Sequence, residues 1–122
     1  MSEVRITVPG RAVPWQRPRR STIGNYFTPK RVLEAETRVA WCARAARARF
    51  GEALVELRIV LWTKTALRGD LDNYAKTILD GLEKGQAIDN DRQVQRLDVQ
   101  VVIGPELEEK VVIYLRELAP AA

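Results

Sequence analysis

Residues 69–92 restrict the fold of this chain more than any other stretch of its sequence. Apolar residues recur in it at the spacing of one helix face, at Ala75, Ile78, Leu79 and Leu82. Asp72 is suited to cap the start of such a helix, and Gly85 is suited to end it. An amphipathic helix between these two residues is therefore predicted, and the segments on either side must be arranged around it.

Charged residues stand at regular intervals along this predicted helix. Asp70 and Asp72 lie two positions apart at its start. Lys76 follows Asp72 by one turn, and Asp80 follows Lys76 by another, because side chains four positions apart share a helix face. Two carboxylates and an ammonium group are thus expected close together at the beginning of the helix.

Two further aspartates, Asp89 and Asp91, come after the helix and before a predicted strand that begins near Val94. If the strands before and after the helix are neighbours in a sheet, the helix returns the chain so that Asp91 can approach Asp70. A cluster made only of oxygen donors suits Mg²⁺ or Mn²⁺, which are hard cations. The spacing therefore favours a divalent-metal site at the N-terminal end of the helix.

Each of these charged residues also has a local structural explanation. Asp72 can be only a helix cap, Lys76 only its ion-pair partner, and Asp89 and Asp91 only turn residues. A calcium loop of the EF-hand type is excluded, because Ala75 stands where that loop requires glycine. Spacing alone leaves the metal site and the structural explanation both open.

Composition excludes several classes of protein. The 122 residues are enough for one domain, residues 1–122, with one core. Cys42 is the only cysteine, so an intrachain disulfide is excluded and a reducing, cytoplasmic setting is expected. The absence of histidine excludes Ser-His-Asp catalysis and imidazole zinc sites. No stretch approaches the roughly 20 apolar residues of a membrane span, and Arg5 and Pro9 interrupt any signal-peptide pattern.

Basic residues are concentrated in the first half of the chain. Residues 1–50 carry 11 Lys and Arg and 3 acidic residues, which leaves 9 basic and 13 acidic residues in 51–122. Segment 10–30 has no clear period and mixes aromatic with cationic side chains, namely Trp15, Tyr26, Phe27, Arg17, Arg19, Arg20 and Lys30. Such a mixture contacts phosphates and stacks on bases, so we expect this loop to bind nucleic acid. The alternative is a solvated connector whose aromatic rings pack into the core.

The other segments predict an α+β fold, with two main helices packed on a small mixed β-sheet in a single domain. The predicted elements are strand 3–9, helix 30–50 ended by Gly51, strand 53–64, the helix described above, strand 94–103 and strand 110–118. The first helix is expected to bury Val32, Val39, Ala43 and Ala46, with Leu33 and Trp41 nearby. Strand 94–103 is expected to bury Leu97, Val99, Val101 and Ile103. Residues 119–122 are expected to form a frayed tail.

Several motifs together resemble the RusA family of Holliday-junction resolvases. They are Asp70-Leu71-Asp72-Asn73 with Lys76, Leu79-Asp80-Gly81-Leu82, Ile88-Asp89-Asn90-Asp91 with Gln93-Val94, Pro14-Trp15-Gln16-Arg17-Pro18-Arg19, and Tyr26-Phe27-Thr28-Pro29. The likeness extends over most of the chain, and its central motif is far more specific than an isolated acidic pair.

The resemblance implies a role for each matched residue. Asp70, Asp72 and Asp91 would hold Mg²⁺, and Lys76 would also be required for cutting. The family often has a second acidic residue directly before the last Asp, where this chain has Asn90. Asp89 is then the candidate to replace it, so the division of roles between Asp89 and Asp91 stays open.

Together the residues and the resemblance predict a Mg²⁺-dependent endodeoxyribonuclease that resolves four-way DNA junctions by paired phosphodiester hydrolysis. Asp80 would be either a partner of Lys76 behind the metal site or part of a structural ion pair. Arg17, Arg19, Arg20 and Lys30 would hold the DNA arms. A bacterial or phage-encoded protein without organic cofactor or membrane partner is expected.

The two strands of a junction require two equivalent sites, so a homodimer is expected. Its interface would be the apolar face of helix 30–50 or an exposed sheet edge. Two alternatives remain, namely a metal-dependent nuclease that acts on other branched or single-stranded DNA, and a DNA-binding protein without catalytic activity.

Overall fold

Two helices and six strands form in residues 3–119, the part of the chain that the computed structural model describes; residues 120–122 of the predicted tail lie outside it. In chain order the elements are β1 (Val4–Pro9), β2 (Arg19–Arg20), β3 (Tyr26–Phe27), α1 (Lys30–Ala45), β4 (Val55–Thr63), α2 (Leu71–Lys84), a 3₁₀ turn (Asp91–Gln93), β5 (Val94–Ile103) and β6 (Lys110–Glu117). Neither helix is long and apolar enough to cross a lipid bilayer.

A four-stranded sheet in the order β1-β6-β4-β5 forms the centre of the fold. β4 pairs with β5 in parallel, whereas β6 pairs with β1 and β4 in antiparallel fashion. Apolar residues that alternate along the strands share one face, as Ile59 does with its partners Ile113 and Val99. This face packs with the helices into one core, so the predicted α+β class and mixed sheet are confirmed.

The first helix is shorter than predicted. α1 ends at Ala45 rather than near residue 50, because Arg47 takes a left-handed backbone conformation with φ of 58°. The N–H of Ala48 then donates to the carbonyl oxygen of Ala43, which closes the helix end. This end carries no glycine, so the sequence contains no stop signal there. Leu33 and Trp41 of α1 remain exposed.

The predicted burial of strand 94–103 is only partly right. Leu97 and Ile103 are 46% and 56% exposed, whereas Val99 and Val101 are half-buried against the core. The physical reason is that β5 is an edge strand. The core-facing side of an edge strand is covered only where a helix reaches over it, which alternation along the strand does not reveal.

Close contact between α1 and α2 depends on Gly81. A Cβ atom at this position would lie 2.6 Å from Cβ of Val39 and 2.9 Å from the carbonyl oxygen of Glu36. Glu36 is itself buried and pairs with Lys84 of α2, with Nζ and Oε1 3.3 Å apart. The missing side chain therefore lets the two helices approach, and the ion pair links them beside the same contact.

Replacement of Gly81 by Ala should lower the free energy of unfolding by about 1–3 kcal/mol, because the added methyl group meets a β-branched side chain and backbone. Thr37→Ala, at an exposed position of α1, should change it by less than about 0.5 kcal/mol. Urea unfolding of the two variants and the wild type measures both values. Helix propensity alone would make Gly81→Ala more stable than the wild type. That result would show that the contact between α1 and α2 is looser than described.

Candidate active site

Asp70 and Asp72 stand at the start of α2, but their roles differ from the prediction. Asp70, not Asp72, occupies the N-cap position, with φ of −85° and ψ of 145°. Its side chain makes no capping hydrogen bond. Asp72 lies in the first turn, and its Oδ1 accepts from the N–H of Asn73 at 3.0 Å. Both side chains are exposed, so helix capping does not account for the carboxylate of Asp70.

Lys76 is held next to an aromatic ring beside these aspartates. Its Nζ lies 5.0 Å from the ring centroid of Trp15. The N–H of Trp15 donates to the carbonyl oxygen of Asn73 at 2.9 Å, which ties the N-terminal loop to the first turn of α2. Within residues 3–119 Lys76 forms no ion pair with Asp80. Asp80 forms no other ion pair in these residues either, so neither of the two roles considered for it is seen, and Trp15 is the neighbour that limits the position of the ammonium group.

The loop that leads to Asp70 is fixed by a cluster around Glu109. Glu109 Oε2 accepts from Nη1 of Arg11 at 2.6 Å and from the N–H of Lys64 at 3.1 Å. The hydroxyl of Thr63 accepts from the same Arg11 nitrogen at 2.8 Å and lies 2.7 Å from the carbonyl oxygen of Thr65. This cluster joins the end of β4, the N-terminal loop and the turn before β6.

Hydrogen bonding makes the charged form of Glu109 the favoured one. The hydrogen bond from the Lys64 N–H has the largest effect and the one from Arg11 the next largest, and both lower the pKa of the Glu109 carboxyl below its ordinary value. A second clamp lies closer to the site, where the hydroxyl of the buried Tyr74 donates to the carbonyl oxygen of Arg68. The Glu109 cluster and the Tyr74 hydrogen bond both fix the position of the loop before Asp70.

A basic hollow, which the sequence did not predict, lies beside this loop. Arg11, Arg31 and Arg68 line it, together with Ala12, Pro14, Gln16 and Tyr74. Arg31 belongs to the first turn of α1 and Arg68 stands two residues before Asp70. Cations from three separate segments meet here, so no local spacing could have identified the group.

The basic segment 10–30 is partly ordered into a small arm, residues 17–28. β2 and β3 pair in antiparallel fashion, with Arg19 opposite Phe27 and Arg20 opposite Tyr26. Tyr26 and Phe27 are 72% and 48% exposed, so they do not pack into the core as the connector alternative required. Lys30 begins α1 and forms an exposed pair with Glu34 at 3.7 Å.

Asp91 lies in the 3₁₀ turn before β5. Its N–H donates to Oε1 of Glu83 at 2.7 Å. The side chain of Asn90 caps the turn by accepting from the N–H of Arg92 at 2.8 Å, and the side chain of Gln93 accepts from the N–H groups of Asp89 and Asn90. The oxygen of Asn90 is thus engaged as a cap, which gives this residue a structural role.

The expected approach of Asp91 to Asp70 within one chain is wrong. Because β4 and β5 are parallel neighbours, the C-terminal end of β4 and the N-terminal end of β5 lie at opposite ends of the strand pair. Glu83, which holds Asp91, is near the C-terminal end of α2, and Asp70 precedes its first residue. The 14 residues of α2 extend over about 20 Å at about 1.5 Å per residue.

The donor chemistry nevertheless fits Mg²⁺ in part. No group of three or more potential ligand side chains converges in residues 3–119. Asp70 and Asp72 are exposed carboxylates two positions apart, and Mg²⁺ is often held by one or two carboxylates with substrate phosphates. One chain therefore presents two separate carboxylate pairs, Asp70 with Asp72 and Asp91 with Glu83, which we call the Asp70–Asp72 half-site and the Asp91 half-site as candidates for metal binding.

Replacement of Glu109 by Gln should destabilise the protein in a pH-dependent way. A lowered pKa in the folded state means that the charge stabilises the fold fully above the ordinary glutamate pKa, and that this contribution is lost as pH falls through the lower folded value. The difference in Tm between wild type and Glu109→Gln should be clear at about pH 7 and should shrink towards about pH 3. Glu108→Gln, at the exposed neighbouring position, is the matched control. Equal differences at both pH values would contradict the role of the Glu109 charge.

Comparison with known proteins gives one family match. Residues 9–116 match the model of the family described as endodeoxyribonuclease RusA, and this range includes Asp70, Asp72, Lys76 and Asp91. A comparison with curated proteins gives no match. The matched range covers most of the 122 residues, and the chain therefore belongs to the RusA family of endodeoxyribonucleases.

Proposed function

We propose that this chain is a Mg²⁺-dependent, structure-selective endodeoxyribonuclease that resolves four-way DNA junctions by paired phosphodiester hydrolysis. The observation that carries the proposal is the group at the start of α2. The carboxylate of Asp70 makes no cap bond, Asp72 follows within one turn, and Lys76 is held against Trp15 one turn further on. Membership of an endodeoxyribonuclease family favours this proposal over a DNA-binding protein without catalytic activity.

Each residue of the group has a separate task in the proposed reaction. Asp70 and Asp72 would hold the cation, which when bound supplies Lewis acidity at the scissile phosphate and a more acidic water. Lys76 is a compact cation that would stabilise the negative charge developing on the phosphate oxygens. Trp15 lies beside the ammonium group and restricts where it can lie, which would reduce the ordering that bound DNA has to impose.

A role for Asp91 in the same metal site requires a second copy of the chain, because α2 keeps Asp91 about 20 Å from Asp70 within one copy. In a two-fold dimer with the α2 helices antiparallel, the Asp70–Asp72 half-site of each copy would meet the Asp91 half-site of the other. The homodimer expected from the two strands of a junction would then also be required to complete each site.

The surface between α2 and the edge of the sheet has the composition that such an interface needs. On β5, Leu97 near the start and Ile103 at the end are exposed. Leu71 at the start of α2 is 44% exposed. Asp72, Leu79 and Glu83 are spaced at seven and four positions, so they follow one side of α2. Exposed apolar side chains with one acidic half-site at each end of α2 suit an antiparallel copy of the same surface.

The first test compares substrates. With Mg²⁺, the protein should cut a synthetic mobile four-way junction into symmetric products, while a linear duplex of the same sequence should be cut far more slowly. EDTA should abolish cutting, because the carboxylates alone supply no Lewis acid. A 5′ flap and a single strand of the same sequence serve as controls. Preference for the flap or the single strand would favour the alternative of a different metal-dependent nuclease.

The second test asks whether each site is shared between copies. Asp70→Asn and Asp91→Asn proteins should each bind the junction without cutting it. After the two are refolded together, each mixed dimer would have one intact shared site, so about a quarter of the wild-type nicking rate should return. The product should be a junction nicked in one strand.

Asp70→Asn refolded with Asp72→Asn is the matched control, because both changes lie in the same half-site. Each shared site of this mixed dimer would lack one of the two aspartates, so the mixture should stay inactive. An inactive Asp70→Asn and Asp91→Asn mixture, with dimers present by light scattering, would contradict the shared site.

A further inference from the structure

Three arginines line a second basic hollow at the opposite end of α1 from the arm. This arginine hollow consists of Arg44, Arg47 and Arg49, and it is completed by Ala48, Gly85 and Gln86. All three arginines are exposed, and none lies within 4.0 Å of a carboxylate oxygen of residues 3–119. Arg44 donates to the carbonyl oxygen of Lys84 at 3.3 Å. The hollow therefore concentrates positive charge that the described part of the chain does not neutralise.

The backbone of the hollow is strained at two facing positions. Arg47 and Gln86 have φ of 58° and 62°, and within residues 3–119 they are the two residues other than glycine with positive φ. Each follows the end of a helix, where glycine is the usual residue because it has no Cβ to clash. An arginine at such a position costs stability, and a residue with a strained backbone that lines a concave surface is a candidate for function.

The hollow lies next to the Asp91 half-site. The N–H of Phe50 donates to the carbonyl oxygen of Ala87, and Nε2 of Gln93 donates to the carbonyl oxygens of Gly51 and Ala53. These bonds tie the segment after α1 to the segment that carries Asp91. The arginine hollow and the Asp91 half-site therefore lie at the same end of α2, where one DNA arm would reach both.

We propose that the arginine hollow binds backbone phosphates of a DNA arm, as a contact separate from that made by the arm of residues 17–28. This inference rests on the proposed function. Guanidinium groups bind phosphate with two parallel hydrogen bonds, and three of them around one concave surface suit a polyanion better than a neutral ligand. The 16 residues of α1 separate the two contacts by about 24 Å, which corresponds to roughly 7 base pairs.

The competing explanation is that the arginines only stabilise the C-terminal ends of α1 and α2, where the helix dipole favours cations. The two explanations differ in what the removal of Arg47 does. A dipole role predicts lower stability and unchanged DNA binding. A phosphate contact at a strained position predicts weaker binding together with higher stability.

Two glycine replacements separate these effects, because both relieve a positive φ and only one removes a charge. Arg47→Gly and Gln86→Gly should each raise Tm, by about 3–6 °C. In EDTA, Arg47→Gly should reduce the slope of log affinity against log salt for a four-way junction by about one unit. Gln86→Gly should leave that slope unchanged.

A triple variant (Arg44→Ala, Arg47→Gly, Arg49→Ala) should reduce the slope by about two to three units, similar to Arg17→Ala, Arg19→Ala and Arg20→Ala in the arm. Arg5→Ala, on the sheet face away from the helices, should change it by much less. Junction arms shorter than roughly 7 base pairs should remove the difference between the hollow variant and wild type, because they cannot reach both contacts.

An unchanged slope in the hollow variant, with normal binding by wild type, would overturn this inference and leave the proposed function standing. Lower Tm with unchanged slope would assign the arginines to the helix ends. A wild-type protein without salt-dependent junction binding would overturn the proposed function and this inference together.

Discussion

Parallel pairing of β4 with β5 is the constraint on which the rest of the structure depends. Two parallel strands cannot be joined by a tight turn, so the chain must cross the sheet, and α2 is that crossing. The same crossing sets the chemistry. Residues that follow β4 lie at one end of α2 and residues that precede β5 lie at the other, so the acidic motif Asp70–Asp72 and the acidic turn at Asp91 are separated by the helix length.

Two sets of contacts hold the start of α2 in place from different directions. The buried Tyr74 and the Glu109 cluster fix the loop that leads to Asp70. From the N-terminal loop, the N–H of Trp15 donates to the first turn, and its ring lies beside the ammonium group of Lys76. A group of exposed polar side chains on a helix end would otherwise fluctuate, and these contacts reduce the ordering that a substrate would have to impose.

Local patterns predicted the elements well, because alternation and helical spacing reflect burial directly. They identified α2 and its stop at Gly85, and they identified β5 to the residue. They failed where the answer depends on tertiary neighbours. The exposure of Leu97 follows from strand order, the early end of α1 follows from a strained Arg47, and the basic hollow at Arg68 is built from distant segments. The separation of Asp70 from Asp91 likewise follows from the strand direction, which spacing does not specify.

The distance between the two acidic half-sites also affects how the chain tolerates its own charge. Three carboxylates gathered in one place repel one another and oppose folding, but charges about 20 Å apart lie more than two Debye lengths from each other at physiological ionic strength. Mutual repulsion between Asp70 and Asp91 is therefore largely screened in the single chain. Folding of the single chain therefore does not have to overcome that repulsion, whereas the proposed dimer would meet its electrostatic cost when two copies assemble.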